Sequence, residues 1–334
     1  MLWFKEHLNY PIFTNRKDLF LRKNSKNAQF HFKGIFNAIE NGNLFFLKRA
    51  NESGLLPSLD ASYASSAAMG GHLEVLRWLR ENGCPWNEWT CINAAHGGHL
   101  EVLKWAHENG CEWNEDTFGS AVESGNLEVL KWLRANGCPW GEDTCASAAF
   151  GGHLQVLKWL RANGCPWDGS TCTSAIDGGY YEIMKWAHEN GCPWDEDTFT
   201  AAIEKGSLES LQWLHERGCP CDASACVSAA REGRLEILRW LRQNGCPWDE
   251  RVCAYAARRG YLEVLKWARE NGCPWDKRVC AYAARGGYLE VLKWARENGC
   301  PWDERVHKYA TRRGHLEVLK WARENKCPME SVLM

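Results

Sequence analysis

Apolar residues in this chain fall three and four apart, the spacing of one face of an α-helix, and the whole arrangement returns every 27 residues. In the stretch Asp249 to Trp275, Val252, Cys253, Ala256 and Ala257 share one helical face, with Arg251, Ala254, Tyr255 and Arg258 on the other. Leu262, Val264, Leu265, Trp267 and Ala268 then form a second apolar face, with Glu263, Lys266 and Glu270 pointing outward. The phrase G-x-L-E-V-L-K-W anchors each copy, with its Leu at Leu73, Leu100, Leu127, Leu154, Leu208, Leu235, Leu262, Leu289 and Leu316, and Tyr181 in the same place in the fifth. Ten copies in strict register predict a solenoid, each copy a helix pair that buries its apolar face only against its neighbours.

The polar punctuation agrees. Asp249 and its equivalents Asp60, Asn87, Asn114, Gly141, Asp168, Asp195, Asp222, Asp276 and Asp303 are residue types favoured at a helix N-cap. The first helix of each copy ends at a glycine (Gly71, Gly98, Gly125 and so on to Gly260, Gly287 and Gly314), as suits a left-handed residue after the last turn. Asn271-Gly272 stops the second helix, Cys273 takes the place where an apolar side chain packs back on the last turn, and Pro274 forbids continuation.

An eleventh, divergent unit spans 31–59: Ile35, Ala38, Ile39, Gly42, Leu44, Leu47 and Gly54 fit the frame, Arg49 stands where Trp is expected, and the loop to the next copy is two residues longer. It reads as a capping repeat. The segment 1–30 is basic and aromatic, without a period, and is either a cap helix or a docking tail; 60–334 holds the ten regular copies.

The run from Ala256-Ala257 through Gly260, Leu262, Glu263 and Val264 to Gly272 resembles the ankyrin repeat, and the resemblance recurs over about nine-tenths of the chain. It implies an all-α, ankyrin-like helical-repeat solenoid of about eleven helix pairs. The copies depart from the family in three ways. Their period is 27 residues where the family has about 33. The β-hairpin finger shrinks to Cys-Pro-Trp-Asp, and Trp replaces a Leu in the second helix.

Net charge is −2 over 334 residues, but it is unevenly spread, with +5 from Met1 to Gly34, +5 from Asp249 to Met334 and −12 between. No run of 18 apolar residues exists, and Lys5, Glu6, His7 and Asn9 interrupt the start, so the sequence predicts neither a membrane span nor a secretory signal. The expected location is cytoplasmic or nuclear. Ten of the 17 cysteines keep the 27-residue register at Cys84, Cys111, Cys138, Cys165, Cys192, Cys219, Cys246, Cys273, Cys300 and Cys327. Helices stacked about 8–10 Å apart do not bring such a ladder within the roughly 7 Å that bridged Cα atoms need, so it should not zip into disulfides. The end at Met334, soon after the last second helix, suits either an open end awaiting a neighbour or an adaptor whose activity lies in a further domain.

The Trp ladder from Trp78 to Trp321 lies at the edge of the buried face and reads as packing. A second set of thiols, Cys91, Cys145, Cys172, Cys226, Cys253 and Cys280, alternates with Phe118 and Phe199 and reads as small buried hydrophobes. His215, Cys219, Cys221 and Cys226 are four potential metal ligands, but their spacing fits no common zinc pattern. No phosphate-binding glycine loop, H-E-x-x-H or nucleophile elbow is present, which argues against an enzyme, and no cofactor is implied.

The most suggestive feature lies on the outer face of the last first helices. Arg251, Tyr255 and Arg258 return as Arg278, Tyr282, Arg285 and as Arg305, Tyr309, Arg312. Stacking sets these in a grid about 10 Å per row. Earlier copies carry Asn93, Ser120, Ser147, Ser174, Ala201 or Ser228 at the Tyr place. Arg and Tyr are enriched at binding hot spots, although the three copies are nearly identical throughout and share surface residues by ancestry as well. By the resemblance, first helices line the concave side. The expected function is a non-catalytic, monomeric protein-interaction scaffold that takes a partner with an acidic segment along that face. The alternative is a nucleic acid or other polyanion on the same Arg/Tyr grid.

Overall fold

A computed structural model describes residues 25–194 and 196–329, and side chains from residue 33 onward other than those of residues 195 and 196. Among the described residues there are 22 helices and no strand, an all-α repeat solenoid of helix pairs. Most of the segment expected as a basic tail or cap, residues 1–24, lies outside them, as does the N-cap candidate Asp195.

One copy shows why these residues fold as they do. The Asp249 side chain accepts from the Arg251 backbone N–H at 2.9 Å and opens the helix Glu250–Arg259. Gly260 closes it at φ +81°. The helix Leu262–Glu270 follows, and Gly272 N–H bonds the Arg269 carbonyl at 3.1 Å while Cys273 N–H bonds the Ala268 carbonyl at 2.9 Å, the two bonds of a Schellman end. Val252, Cys253, Ala256 and Ala257 are fully buried. Ala254, placed outward by the helical pattern, is only 1% exposed. Its helix is flanked by the first helices Ala223–Arg231 and Arg278–Gly286, so the covered arc is wider than one stripe, and a methyl group fits between neighbours.

The fourth copy departs from the expected cap. Gly141 has no side-chain acceptor to offer, and the helix begins late, at Thr144, and runs only to Phe150. In the last two copies the helix starts one residue later than expected, yet Asp276 and Asp303 still accept from the N–H groups of Arg278 and Arg305, at 2.8 and 3.1 Å.

The helices group into two compact units that divide between Gly141 and Glu142. The first holds four pairs, from Ser25–Glu40 with Leu44–Glu52 to Glu115–Glu123 with Leu127–Ala135. Its core runs through Ile39, Leu47, Leu76, Leu103 and Leu130, all with no exposed surface. The second holds seven pairs, from Thr144–Phe150 with Leu154–Ala162 to Arg305–Arg313 with Leu316–Glu324, and repeats that core at Leu157, Leu211, Leu238, Leu265 and Leu292. Each such Leu contributes about 1.5–3 kcal/mol by leaving water.

In several copies the residue just before the second helix ties neighbouring copies together within a unit. His72 Nε2 donates to the Glu40 carbonyl at 2.8 Å, and His99 Nε2 to the Met69 carbonyl at 3.0 Å. In the second unit Arg234 and His315 reach the carbonyls of Glu204 and Arg285, at 3.2 and 3.1 Å. These carbonyls end the preceding first helix and have no helical partner of their own. The reaching ring passes close to the turn glycine of the copy before it: at Gly42, φ +68°, an added Cβ would sit 2.5 Å from His72 Nδ1.

Candidate functional site

The outer face of the first helices in the second unit carries the Arg/Tyr grid, and the structure divides its nine members. Arg251 turns back on its own N-cap, with Nε 2.9 Å from Asp249 Oδ2. Arg278 bonds Asp276 at 2.8 Å and Glu250 of the preceding copy at 2.9 Å. Arg305 bonds Asp303, which also holds Lys277 at 3.2 Å. The Arg251 hydrogen bond holds the Asp249 carboxyl below its usual range. At Asp303 burial pushes upward, and the hydrogen bonds from Arg305 and Lys277 outweigh it, so that carboxyl too is lowered. This row of three arginines is therefore neutralised in place.

The other row is arranged differently. The Arg258 guanidinium lies 5.7 Å from the Tyr255 ring and 5.9 Å from that of Tyr282, and Arg285 lies 5.9 Å from Tyr309. Each cation is held against an aromatic face by a modest attraction that leaves its N–H groups free to meet a ligand. Arg258 and Arg312 are exposed, and Tyr255, Tyr282, Tyr309 and Arg285 half-buried. Thus Tyr255, Arg258, Tyr282, Arg285 and Tyr309 form one strip, with Arg312 beyond its end.

A cleft of about 630 Å³ opens beside this strip. Tyr255 and Arg258 form one wall; Asp177, Glu204, Lys205, Arg231, Glu232 and Arg259 line the rest. The cleft exists because the Tyr place holds Ala201 and Ser228 in the two copies before Tyr255, both nearly covered and too small to fill it. One helical position, repeated every 27 residues, reads Asp177, Glu204, Arg231 and Arg258 along the cleft and continues beyond it as Arg285 and Arg312. The sign of charge changes once, between Glu204 and Arg231, which form an ion pair across that step. The sequence shows an acidic middle and singles out the basic residues Arg258, Arg285 and Arg312, but not Asp177 and Glu204, which stand in the same 27-residue register.

Another repeated arrangement was also missed. Two residues beyond the ladder Trp, an Arg or His stacks on the Trp of the Cys-Pro-Trp loop: Arg80 over Trp86 at 4.1 Å, Arg134 over Trp140 at 3.7 Å, Arg161 over Trp167 at 4.1 Å, Arg269 over Trp275 at 4.5 Å. His107 on Trp113 and His188 on Trp194 replace them at 3.5 and 3.4 Å. Loop and ladder indoles then meet edge to face, as Trp248 and Trp267 do at 5.9 Å. These indoles pack on one another at the rim of the core.

Among the described residues no three His, Cys, Asp or Glu side chains converge to hold a metal ion. His215, Cys219, Cys221 and Cys226 do not form one ligand set: Cys226 is buried in its helix, and Cys221 is bonded to Cys246. That bond corrects one member of the cysteine ladder. Fifteen cysteines are free and buried, but Cys246 is bridged to a thiol outside the ladder.

Residues 64–107 and 226–269 match the family model for ankyrin repeats (many copies). No curated protein matches the sequence. Among solved structures, the crystal structure of the human ASB11 ankyrin repeat domain is similar at 22% identity, over 47% of this chain and 84% of that one, with a TM-score of 0.40.

Proposed function

We propose that this chain, which carries ankyrin repeats, is a non-catalytic scaffold that seats a protein partner along the first-helix face of its second unit. Ankyrin repeats generally serve as protein–protein interaction modules. The observation that carries the finer reading is the row that changes sign once, from Asp177 and Glu204 to Arg231, Arg258, Arg285 and Arg312, beside a cleft walled by Tyr255. A partner segment with an acidic stretch over the Arg258 end and a basic residue toward Asp177 would be oriented along the row. Charge pairing of this kind sets direction and encounter rate more than affinity, while the Tyr rings supply apolar contact. With Arg251, Arg278 and Arg305 held by their own carboxylates, the recognition residues are Tyr255, Arg258, Tyr282, Arg285, Tyr309 and Arg312. No helix among the described residues is long and apolar enough to cross a membrane, and the partner is read as a soluble cytoplasmic or nuclear protein met by a monomeric chain.

The test is direct binding of labelled peptides. An acidic peptide with a basic end should bind, and Arg258→Glu with Arg285→Glu should weaken it about tenfold or more, whereas Arg251→Glu should change it little. Scrambling the charges so that acidic and basic ends alternate should abolish the preference. Retardation of single- or double-stranded DNA at moderate salt, lost in the same double variant, would instead favour the polyanion reading.

A further inference from the structure

Cys221 is the one cysteine outside both repeat registers. Ten thiols lie on the first ladder and six on the second, and Cys221 completes the 17. It stands where other copies place the loop indole, Trp113, Trp194, Trp248 or Trp275. Exchange of an indole for a thiol leaves a cleft of about 260 Å³, lined by His215, Cys219, Cys221, Asn244, Cys246 and Pro247 among others. His215 occupies the position from which His107 and His188 stack on their loop indoles; it keeps their edge-on contact to the next ladder indole, with Trp240 at 5.4 Å, but has no loop ring to stack on.

The chemistry of this thiol differs from that of the ladders. Cys221 is half-buried, whereas the 15 free cysteines are all buried. Burial pushes the Cys84 thiol up to about 11 and those of Cys138 and Cys226 to about 12, so these keep their protons; hydrogen bonds with Cys91 and Cys172 lower Cys111 and Cys192, but both are buried out of reach of an oxidant. Ladder thiols are also engaged: the Sγ of Cys192, Cys273 and Cys300 donates to the carbonyl of Asp168, Asp249 and Asp276 at 3.1, 3.4 and 3.5 Å. Cys246 departs from them. It is joined to Cys221, its Cα 6.2 Å away.

We propose that Cys221 is an oxidation site, at which a peroxide closes a reversible disulfide to Cys246 of the next copy. The Cys221 thiolate attacks one peroxide oxygen, the O–O bond breaks, and hydroxide leaves and is protonated to water, giving a sulfenic acid. The Cys246 sulfur then attacks the Cys221 sulfur; the S–S bond forms, the S–O bond breaks, and hydroxide departs with the Cys246 proton as a second water. The two thiols together give up two electrons and the peroxide takes them. A dithiol reductant reverses the bond by exchange. The cleft gives the oxidant access that no indole-filled copy offers. The bond joins the loops that lead to the N-caps Asp222 and Asp249, whose helices carry Arg231 and Arg258. On the proposed function it therefore fixes the spacing between Arg231 and Arg258, the first two cations after the charge reversal; the modification itself does not depend on that reading.

The full chain, reduced with dithiothreitol and freed of it, is labelled briefly with iodoacetamide in its native state. Cys221 should be alkylated at least tenfold faster than any ladder thiol. A second reduced sample is treated with one equivalent of hydrogen peroxide, denatured, alkylated, digested with trypsin and sequenced by fragmentation. The Cys221 and Cys246 peptides should appear linked and lighter by two hydrogens, with the other 15 thiols alkylated, and dithiothreitol should restore both. The oxidised chain should melt roughly 4–10 °C above the reduced one. Cys221→Trp, which restores the ladder, and Cys221→Ser should both leave Cys246 alkylatable after peroxide. Oxidation of Cys221 to sulfinic acid with Cys246 free, cross-linking through Cys219 instead, or native labelling of Cys221 no faster than the ladders would overturn the proposal.

Discussion

At Gly287 two demands fall on one residue. Its φ of +78° is reached freely only without a side chain, and an added Cβ would stand 2.7 Å from His315 Nδ1, the ring that bonds the Arg285 carbonyl. Gly287→Ala should therefore cost about 1–3 kcal/mol, read as a lower urea midpoint with an unchanged slope. Trp267 faces a different demand, since it is half-buried and edge-on to Trp248. Its truncation to Ala should cost about 3 kcal/mol, the low end for an aromatic in a core, and a melting temperature equal to that of the parent would show that the ladder is not packing. The ladder cysteines suit their place because a thiol is a small apolar group that can still donate to the carbonyl of an N-cap residue.

Helix ends are where the elements of this protein are set. Asp249 caps one first helix and Asp303 another, and each clasps the arginine two residues on. Both carboxyls are held below the usual range. A carboxyl lowered in the folded state contributes stability that is present above its unfolded value, about 3.9, and is lost as pH falls through the folded one. Asp303→Asn should thus melt below the parent at neutral pH, and the gap should narrow as the solution is taken below about pH 4; thermal melts across that range check it. The short helix Thr144–Phe150 shows the converse, since without a capping side chain at Gly141 the first turn is not formed.

For the molecule as a whole, stability is passed between neighbours and not shared through one centre. In the second unit each first helix packs on the first helices beside it and on its own partner. Leu265→Ala, at a fully buried site, should cost about 2–5 kcal/mol. Hydrogen exchange should quicken in its own pair and in the adjoining first helices, with far pairs of the unit little changed. Uniform loss of protection across the unit would contradict nearest-neighbour coupling. The proposed binding row extends over the same copies, so on that proposal the variant should also weaken an acidic peptide at Arg258 and Arg285.

The sequence by itself determined the helix pairs, their turns and most of their caps, because these depend on local spacing and on residue types with narrow conformational demands: glycines at positive φ, acids at N-caps, apolar groups three and four apart. It also placed Arg258, Tyr255 and Tyr282 on one face, since a 27-residue register turns sequence distance into adjacency. Tertiary structure alone decided which charges remain available. Arg251 and Arg258 look alike in the sequence, yet one is folded onto Asp249 and the other rests between two tyrosines. It alone covered Ala254, because only packing on both flanks widens the buried arc, and it alone brought Cys221 to Cys246, because that contact depends on a missing indole and on two loops meeting in space.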